Sequence, residues 1–135
     1  MITKVDQRNR VQVKAAGIPG ERKRKLANSI QQYLLDNIER KVTICELAGH
    51  FHVSETQIKN CFKSVYGTTV HAWFRTEKMK AAADDLTKTD MSVLEIAGKY
   101  GFDNGSKFAK AFGSVFSLPP SEFRLTKISR NKLFF

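Results

Sequence analysis

The chain has 135 residues, 41% of them hydrophobic, enough for one compact domain or two very small ones sharing an interface, and too apolar for a disordered chain. Apolar runs are only a few residues long, against the roughly 20 that cross a bilayer, and no export signal follows the first charges, so a cytoplasmic protein with no membrane-spanning segment is expected. Two cysteines, Cys45 and Cys61, exclude a disulfide framework and a four-thiolate zinc site, and a net charge of +10 favours an acidic partner, nucleic acid or an anionic membrane.

The charge is unevenly placed. Residues 1–25 hold eight basic residues against two acidic ones, and residues 127–135 add Lys127, Arg130 and Lys132. The stretch between them is almost neutral, so any binding of an acidic partner by the central part must come from where its lysines sit.

Residues 1–20 read as a basic tail or linker ending in Gly17-Ile18-Pro19-Gly20. Leu26, Ile30, Leu34 and Ile38 then recur every four positions with Tyr33 beside them, which is one apolar stripe of an amphipathic helix. Three helix starts follow with the same signature: Thr43 with Glu46, Ser54 with Gln57, and Ser92 with Glu95 each match the capping box, in which hydroxyl and side-chain acceptor satisfy two free backbone N–H groups reciprocally. A helix from Thr43 that stops before Val53, followed by another from Ser54, makes a helix-turn-helix. At the turn stands His52, where a positive φ is expected and glycine would be the least strained residue.

The unit is written twice. Residues 46–55 read ELAGHFHVSE and residues 95–104 read EIAGKYGFDN. Gly101 matches His52, and the second helix aligns after one extra residue, so Phe108, Ala111 and Phe112 match Ile58, Cys61 and Phe62. Between the copies, Thr69 to Leu86 contains no Gly or Pro and is rich in Ala, Lys, Glu and Met, which reads as a rigid helix of about 27 Å. The chain closes with Pro119-Pro120-Ser121-Glu122-Phe123-Arg124, a short helix carrying Phe123.

Residues from about 25 to 126 resemble the DNA-binding domain of the AraC/XylS family of bacterial transcription regulators. The shared marks are ELA with Val53 and Ser54, FKSVYG at Phe62 to Gly67, KMKAAADDL at Lys78 to Leu86, SVLEIAGKYGF at Ser92 to Phe102 and PPSEFR at Pro119 to Arg124. The family usually has arginine at Lys78, commonly a basic residue at Gly113 and often glycine at Ser117. The resemblance implies an all-α fold of about seven helices: a first helix-turn-helix subdomain over 21–67, a linker helix over 68–88, a second subdomain over 89–126 and a basic tail over 127–135. It also implies a DNA-binding regulator, an activator more than a repressor, with double-stranded DNA and RNA polymerase as partners. Members of the family often carry a separate sensing or dimerisation domain, which this sequence lacks, so it is either a self-sufficient regulator or a piece of a longer one, and its effector is unknown.

Helical geometry selects the reading faces. Opposite the stripe Ile58, Cys61, Phe62 and Val65 lie Thr56, Asn60 and Lys63, with Lys59 on the flank; opposite Phe108, Ala111, Phe112 and Val115 lie Ser106 and Lys110, with Lys107 beside them. Asn pairs with adenine edges, Lys with guanine acceptors or phosphate, and Ser/Thr with several bases. Thr43, Arg75, Lys78 and Lys99 are candidate phosphate contacts. Lysines opposite an apolar stripe are also what any solvated helix shows, and an interaction module docking on polymerase or another regulator is the alternative function. His50, His52 and His71 lack metal-ligand spacing, no nucleophile motif or phosphate-cradling loop is present, and neither a metal, a cofactor nor an enzymatic activity is expected.

Overall fold

The computed structural model describes residues 20–133, with side chains through Thr126. Over these residues it contains seven helices and no strand: α1 (Gly20–Asp36), α2 (Ile44–Phe51), α3 (Glu55–Tyr66), α4 (Val70–Lys88), α5 (Val93–Lys99), α6 (Gly105–Phe116) and α7 (Pro120–Leu133). The N-terminal tail expected over 1–20 lies, but for Gly20, outside the described residues. The boundary expected at 126 falls inside α7, which is longer than the short helix read from the sequence.

Two cores share one rod. Ile30 and Leu34 of α1, Ile44 and Leu47 of α2, and Ile58 and Phe62 of α3 close around Val70 and Phe74 from the start of α4. The end of α4 supplies Met79, Ala82, Ala83 and Leu86 to a second core with Ile96, Tyr100, Phe108 and Phe112. At 100° per residue the two buried sets on α4 point about 150° apart. The rod therefore shows no single apolar stripe, because it buries opposite faces at its two ends. Ile38 packs against both cores.

The doubled unit is reproduced down to its turns. Ser54 and Ser92 form full capping boxes, Ser54 N–H donating to Gln57 Oε1 at 2.9 Å and Ser92 N–H to Glu95 Oε1 at 2.8 Å. The box expected at Thr43 is only half formed. Thr43 Oγ1 accepts from Glu46 N–H at 3.0 Å, but the Glu46 carboxylate is taken by Arg40 Nη1 at 3.0 Å and Tyr33 O–H at 2.6 Å, which tie α2 to the end of α1. Charge-assisted bonds outcompete a neutral backbone donor. The Arg40 guanidinium, then the Tyr33 hydroxyl, hold the Glu46 carboxyl down at about 2. The aromatic packing also repeats: Phe62 meets Tyr66 and Trp73, and Phe112 meets Phe116 and Phe123 fifty positions on.

Among the described residues four have positive φ, and they fall in matched pairs: His52 (59°) with Gly101 (85°) in the turns, Gly67 (72°) with Ser117 (63°) at the ends of α3 and α6. Each pair has one glycine and one residue whose Cβ is strained there. Gly101 has a second constraint, since an added Cβ would stand 3.3 Å from both Arg40 C and Lys41 N.

That close approach is part of a seam where the second turn meets the α1–α2 loop. Lys41 Nζ pairs with Asp103 Oδ2 at 2.9 Å across it. Beneath it Lys78, only 6% exposed, donates from Nζ to Arg40 O at 2.8 Å and to Tyr100 O at 2.9 Å, with the ammonium 4.6 Å from the centre of the Phe74 ring. One cation thus joins a carbonyl of the first half to a carbonyl of the second. Arg124 of α7 does similar work inside the second half, donating from Nε to Leu86 O at 2.8 Å and from Nη2 to Met91 O at 2.6 Å.

Two predictions follow from these constraints. His52→Gly and Ser117→Gly are each expected to raise the unfolding free energy by about 0.5–1 kcal/mol, whereas Gly101→Ala loses more than Gly67→Ala because only Gly101 abuts backbone; chemical denaturation of the four variants measures this. Burial, then the neighbouring Lys41 and Arg40, press the Lys78 ammonium down to about 8 from the usual 10.5. Between those two values the unfolded chain binds the proton more tightly than the folded one, so stability rises with pH from about 8 towards 10. From about 9 the buried Cys61 thiol, and above 10 the buried or hydrogen-bonded hydroxyls of Tyr33, Tyr66 and Tyr100, all harder to ionise than usual, oppose the rise. Lys78→Met should abolish the rise between pH 8 and 10 in denaturation curves and cost about 1–3 kcal/mol through its two abandoned carbonyls.

Candidate nucleic-acid interface

The helices α3 and α6 present their expected faces. Ile58, Cys61 and Phe62 are buried, as are Phe108, Ala111 and Phe112, and this fixes the rotation of each helix about its axis. Thr56, Lys59, Asn60 and Lys63 on α3, and Ser106, Lys107 and Lys110 on α6, are all exposed. Among the described residues none of these seven side chains makes a hydrogen bond or an ion pair. Holding polar side chains free on a rigid face leaves their donors and acceptors for a partner, at little reorganisation cost.

The faces differ in where their lysines sit. The positions of Lys59 and Lys63 on α3 are taken on α6 by Ala109 and Gly113, which line a shallow hollow with Lys110 and Pro119. The second face keeps two lysines, Lys107 and Lys110, where α3 has Gln57 and Asn60, and lies closer to its own backbone. Its start is capped by Asn104, whose Oδ1 accepts from Lys107 N–H at 2.8 Å, a cap that the sequence reading missed although Asp103-Asn104-Gly105 is a turn signature.

The four candidate phosphate contacts divide. Arg75 is exposed on α4 with no hydrogen bond or ion pair among the described residues, and Thr43 stands exposed at the start of α2 while capping it. Lys78 is a correction. Its ammonium is buried and committed to two carbonyls, so it positions the two halves and does not reach a phosphate. Lys99 is part exposed, and its Nζ pairs with Asp85 Oδ2 at 3.0 Å beside the Tyr100 hydroxyl, which donates to the same oxygen at 2.7 Å. Its positive charge is answered within the fold. Lys41 and Asp103, which the sequence reading did not single out, pair across the seam at a separation of 62 positions that no local pattern signals.

Nothing in the described residues suggests other chemistry. No group of three or more His, Cys, Asp or Glu is placed to hold a metal ion, and no described helix is long and apolar enough to cross a membrane. Cys61 is buried with its thiol donating to Lys23 O at 2.9 Å, and burial pushes its ionisation up, while Cys45 is exposed.

Comparison with known proteins gives the same picture. A helix-turn-helix domain family matches residues 47–126. The activator AarP of Providencia stuartii is 26% identical over 108 residues, 80% of each chain. The fold matches the AraC-type transcriptional regulator of Chromobacterium violaceum with a TM-score of 0.71 at 23% identity, over 77% of this chain and 93% of that one. It also matches the DNA-binding domain of AdpA, solved with a target DNA, with a TM-score of 0.73 at 22% identity, over 77% and 94%. With two such units on one rod and the family match spanning more than half its length, the chain belongs to the AraC/XylS family of helix-turn-helix transcription regulators.

Proposed function

We propose that the chain binds double-stranded DNA as a single molecule, laying α3 and α6 into successive major grooves along one face of the duplex and thereby activating transcription. The observation that carries this reading is the pair of exposed, unpartnered polar faces on two helices that a common rod and the Lys78 seam hold in one body. The 19 residues of α4 span about 28 Å at 1.5 Å per residue, a length suited to readers about one 34 Å turn apart. The two readers differ in sequence, so the preferred site is an asymmetric pair of elements and not a palindrome.

Roles follow from reach and charge. Asn60 suits an adenine edge, Thr56 and Ser106 suit several bases, and Lys59, Lys63, Lys107 and Lys110 suit guanine acceptors or phosphates. Thr43, at the start of the first helix of a helix-turn-helix, and Arg75, exposed on the linker helix, are left as backbone contacts. RNA polymerase is the partner through which an activator of this kind works, and the family resemblance favours activation over repression.

Asn60→Ala and Lys110→Ala are expected to weaken binding to the selected site by about 1–3 kcal/mol each with the unfolding temperature unchanged, since neither side chain has a partner in the fold. Gel-shift titration on the site and on mixed-sequence DNA, with thermal unfolding alongside, measures both. A fall in unfolding temperature, or equal losses on both DNAs for Asn60→Ala, contradicts the assignment of that face to base reading.

A further inference from the structure

The duplicated glutamate does different work in the two copies. In the second, Glu95 Oε1 completes the capping box by accepting from Ser92 N–H at 2.8 Å. In the first, Glu46 turns to the Arg40 guanidinium, which grips it as a fork, Nη1 on Oε1 at 3.0 Å and Nη2 on Oε2 at 2.5 Å. Nε also donates to Asn37 Oδ1 at 3.1 Å, Nη1 to Lys41 O at 3.0 Å and Nη2 to the Tyr33 hydroxyl at 3.4 Å. All five N–H groups are thus engaged on a side chain that is 47% exposed. An exposed ion pair stabilises a fold little, but a bidentate one with every donor placed holds geometry. Six residues before its glutamate the second copy has Thr89, so the fork exists in the first copy alone.

The geometry held is that of the peptide on which the second half rests. The carbonyl of Arg40 itself accepts from Lys78 Nζ at 2.8 Å, and the same ammonium donates to Tyr100 O of the second half. Arg40 C and Lys41 N stand 3.3 Å from where a Cβ on Gly101 would be, and Lys41 Nζ meets Asp103 Oδ2 at 2.9 Å. Each of these links across the seam starts from residue 40 or 41. The guanidinium fixes that pair of residues against the end of α1, through Tyr33 and Asn37, and against α2, through Glu46.

We propose that Arg40 is a positioning residue: by fixing the α1–α2 loop peptide it sets the rotation and spacing of α6 relative to α3, and through them the spacing of DNA elements that the chain reads. The effect on DNA rests on the two-groove reading, whereas the orientation of the halves is a property of the free chain. Loss of the fork leaves both cores closed, since Arg40 belongs to neither. It lets the loop peptide, and with it the second half, shift relative to α2 and α3.

The test uses the isotope-labelled chain, first without DNA. Residual dipolar couplings of the amides in α2–α3 and in α5–α6 are expected to fit one alignment tensor in the parent and two of unequal magnitude in Arg40→Gln, with thermal unfolding still cooperative. Arg40→Lys keeps the charge and loses the fork, so it should behave as Arg40→Gln, and Glu46→Gln should lie between them and the parent. One shared tensor in Arg40→Gln or in Arg40→Lys overturns the proposal. If Arg40→Gln does not fold, the couplings of Glu46→Gln decide. On DNA, one base pair inserted between the two elements turns the second by about 34° and moves it by about 3.4 Å. The parent's preference for the selected site over the inserted one should fall at least about fivefold in Arg40→Gln. A role in stability alone weakens binding to both and leaves that preference unchanged, which also overturns the proposal. Two tensors in Arg40→Gln, with a parent that shows one tensor but no preference between the DNAs, support the positioning role and contradict the two-groove reading.

Discussion

A single buried ammonium holds the arrangement together. Lys78 lies where α4 passes from one core to the other, and its Nζ donates to Arg40 O in the first half and Tyr100 O in the second. Removing a charge of this size from water costs several kcal/mol. Two charge-assisted hydrogen bonds at about 1.5–3 kcal/mol each, with about 2 kcal/mol from the Phe74 ring, come close to offsetting it. What the lysine contributes is geometry more than net stability. Two carbonyls from sequence-distant turns are fixed to the same nitrogen, and the close approach of Gly101 to the Arg40–Lys41 backbone leaves no room for the halves to slide. The orientation of α3 relative to α6 depends on this junction.

Duplication makes the readers alike and the junction makes them a pair. Each half turns on a positive-φ residue, begins its reading helix on a side-chain cap and ends it in a left-handed residue, Gly67 or Ser117. The halves have diverged where they face outward. The lysines stand at 59 and 63 on α3 but at 107 and 110 on α6, where Ala109 and Gly113 leave a smoother surface that brings the backbone closer to a partner.

Much of this was legible in the sequence because it is local. The repeat, the serine capping boxes, the strained turn at His52 and the direction of both reading faces all rest on spacings of two to four residues. Thr43 shows where local reading stops: its hydroxyl caps α2 as expected, but Glu46 is diverted to Arg40 and Tyr33 on the preceding helix end. Lys78 and Lys99 show the same limit for charge. In the sequence both are lysines on a helix, and only tertiary contacts reveal that one is buried between carbonyls and the other is matched by Asp85. The apolar residues of α4 gave no warning, since a helix serving two cores on opposite faces has no single stripe to read.

The most direct test of the rigid pairing is the dependence of affinity on the distance between the two DNA elements. A duplex with five base pairs inserted between them rotates the second element by half a turn, so a rigidly paired protein can engage only one at a time. Affinity should then fall on the order of 10²-fold, towards that of a single element, and stay low when the insertion is a full turn, which carries the second element about 34 Å beyond the rigid pair's reach. Unchanged affinity on the half-turn insertion would show that α3 and α6 bind independently, and would contradict the account.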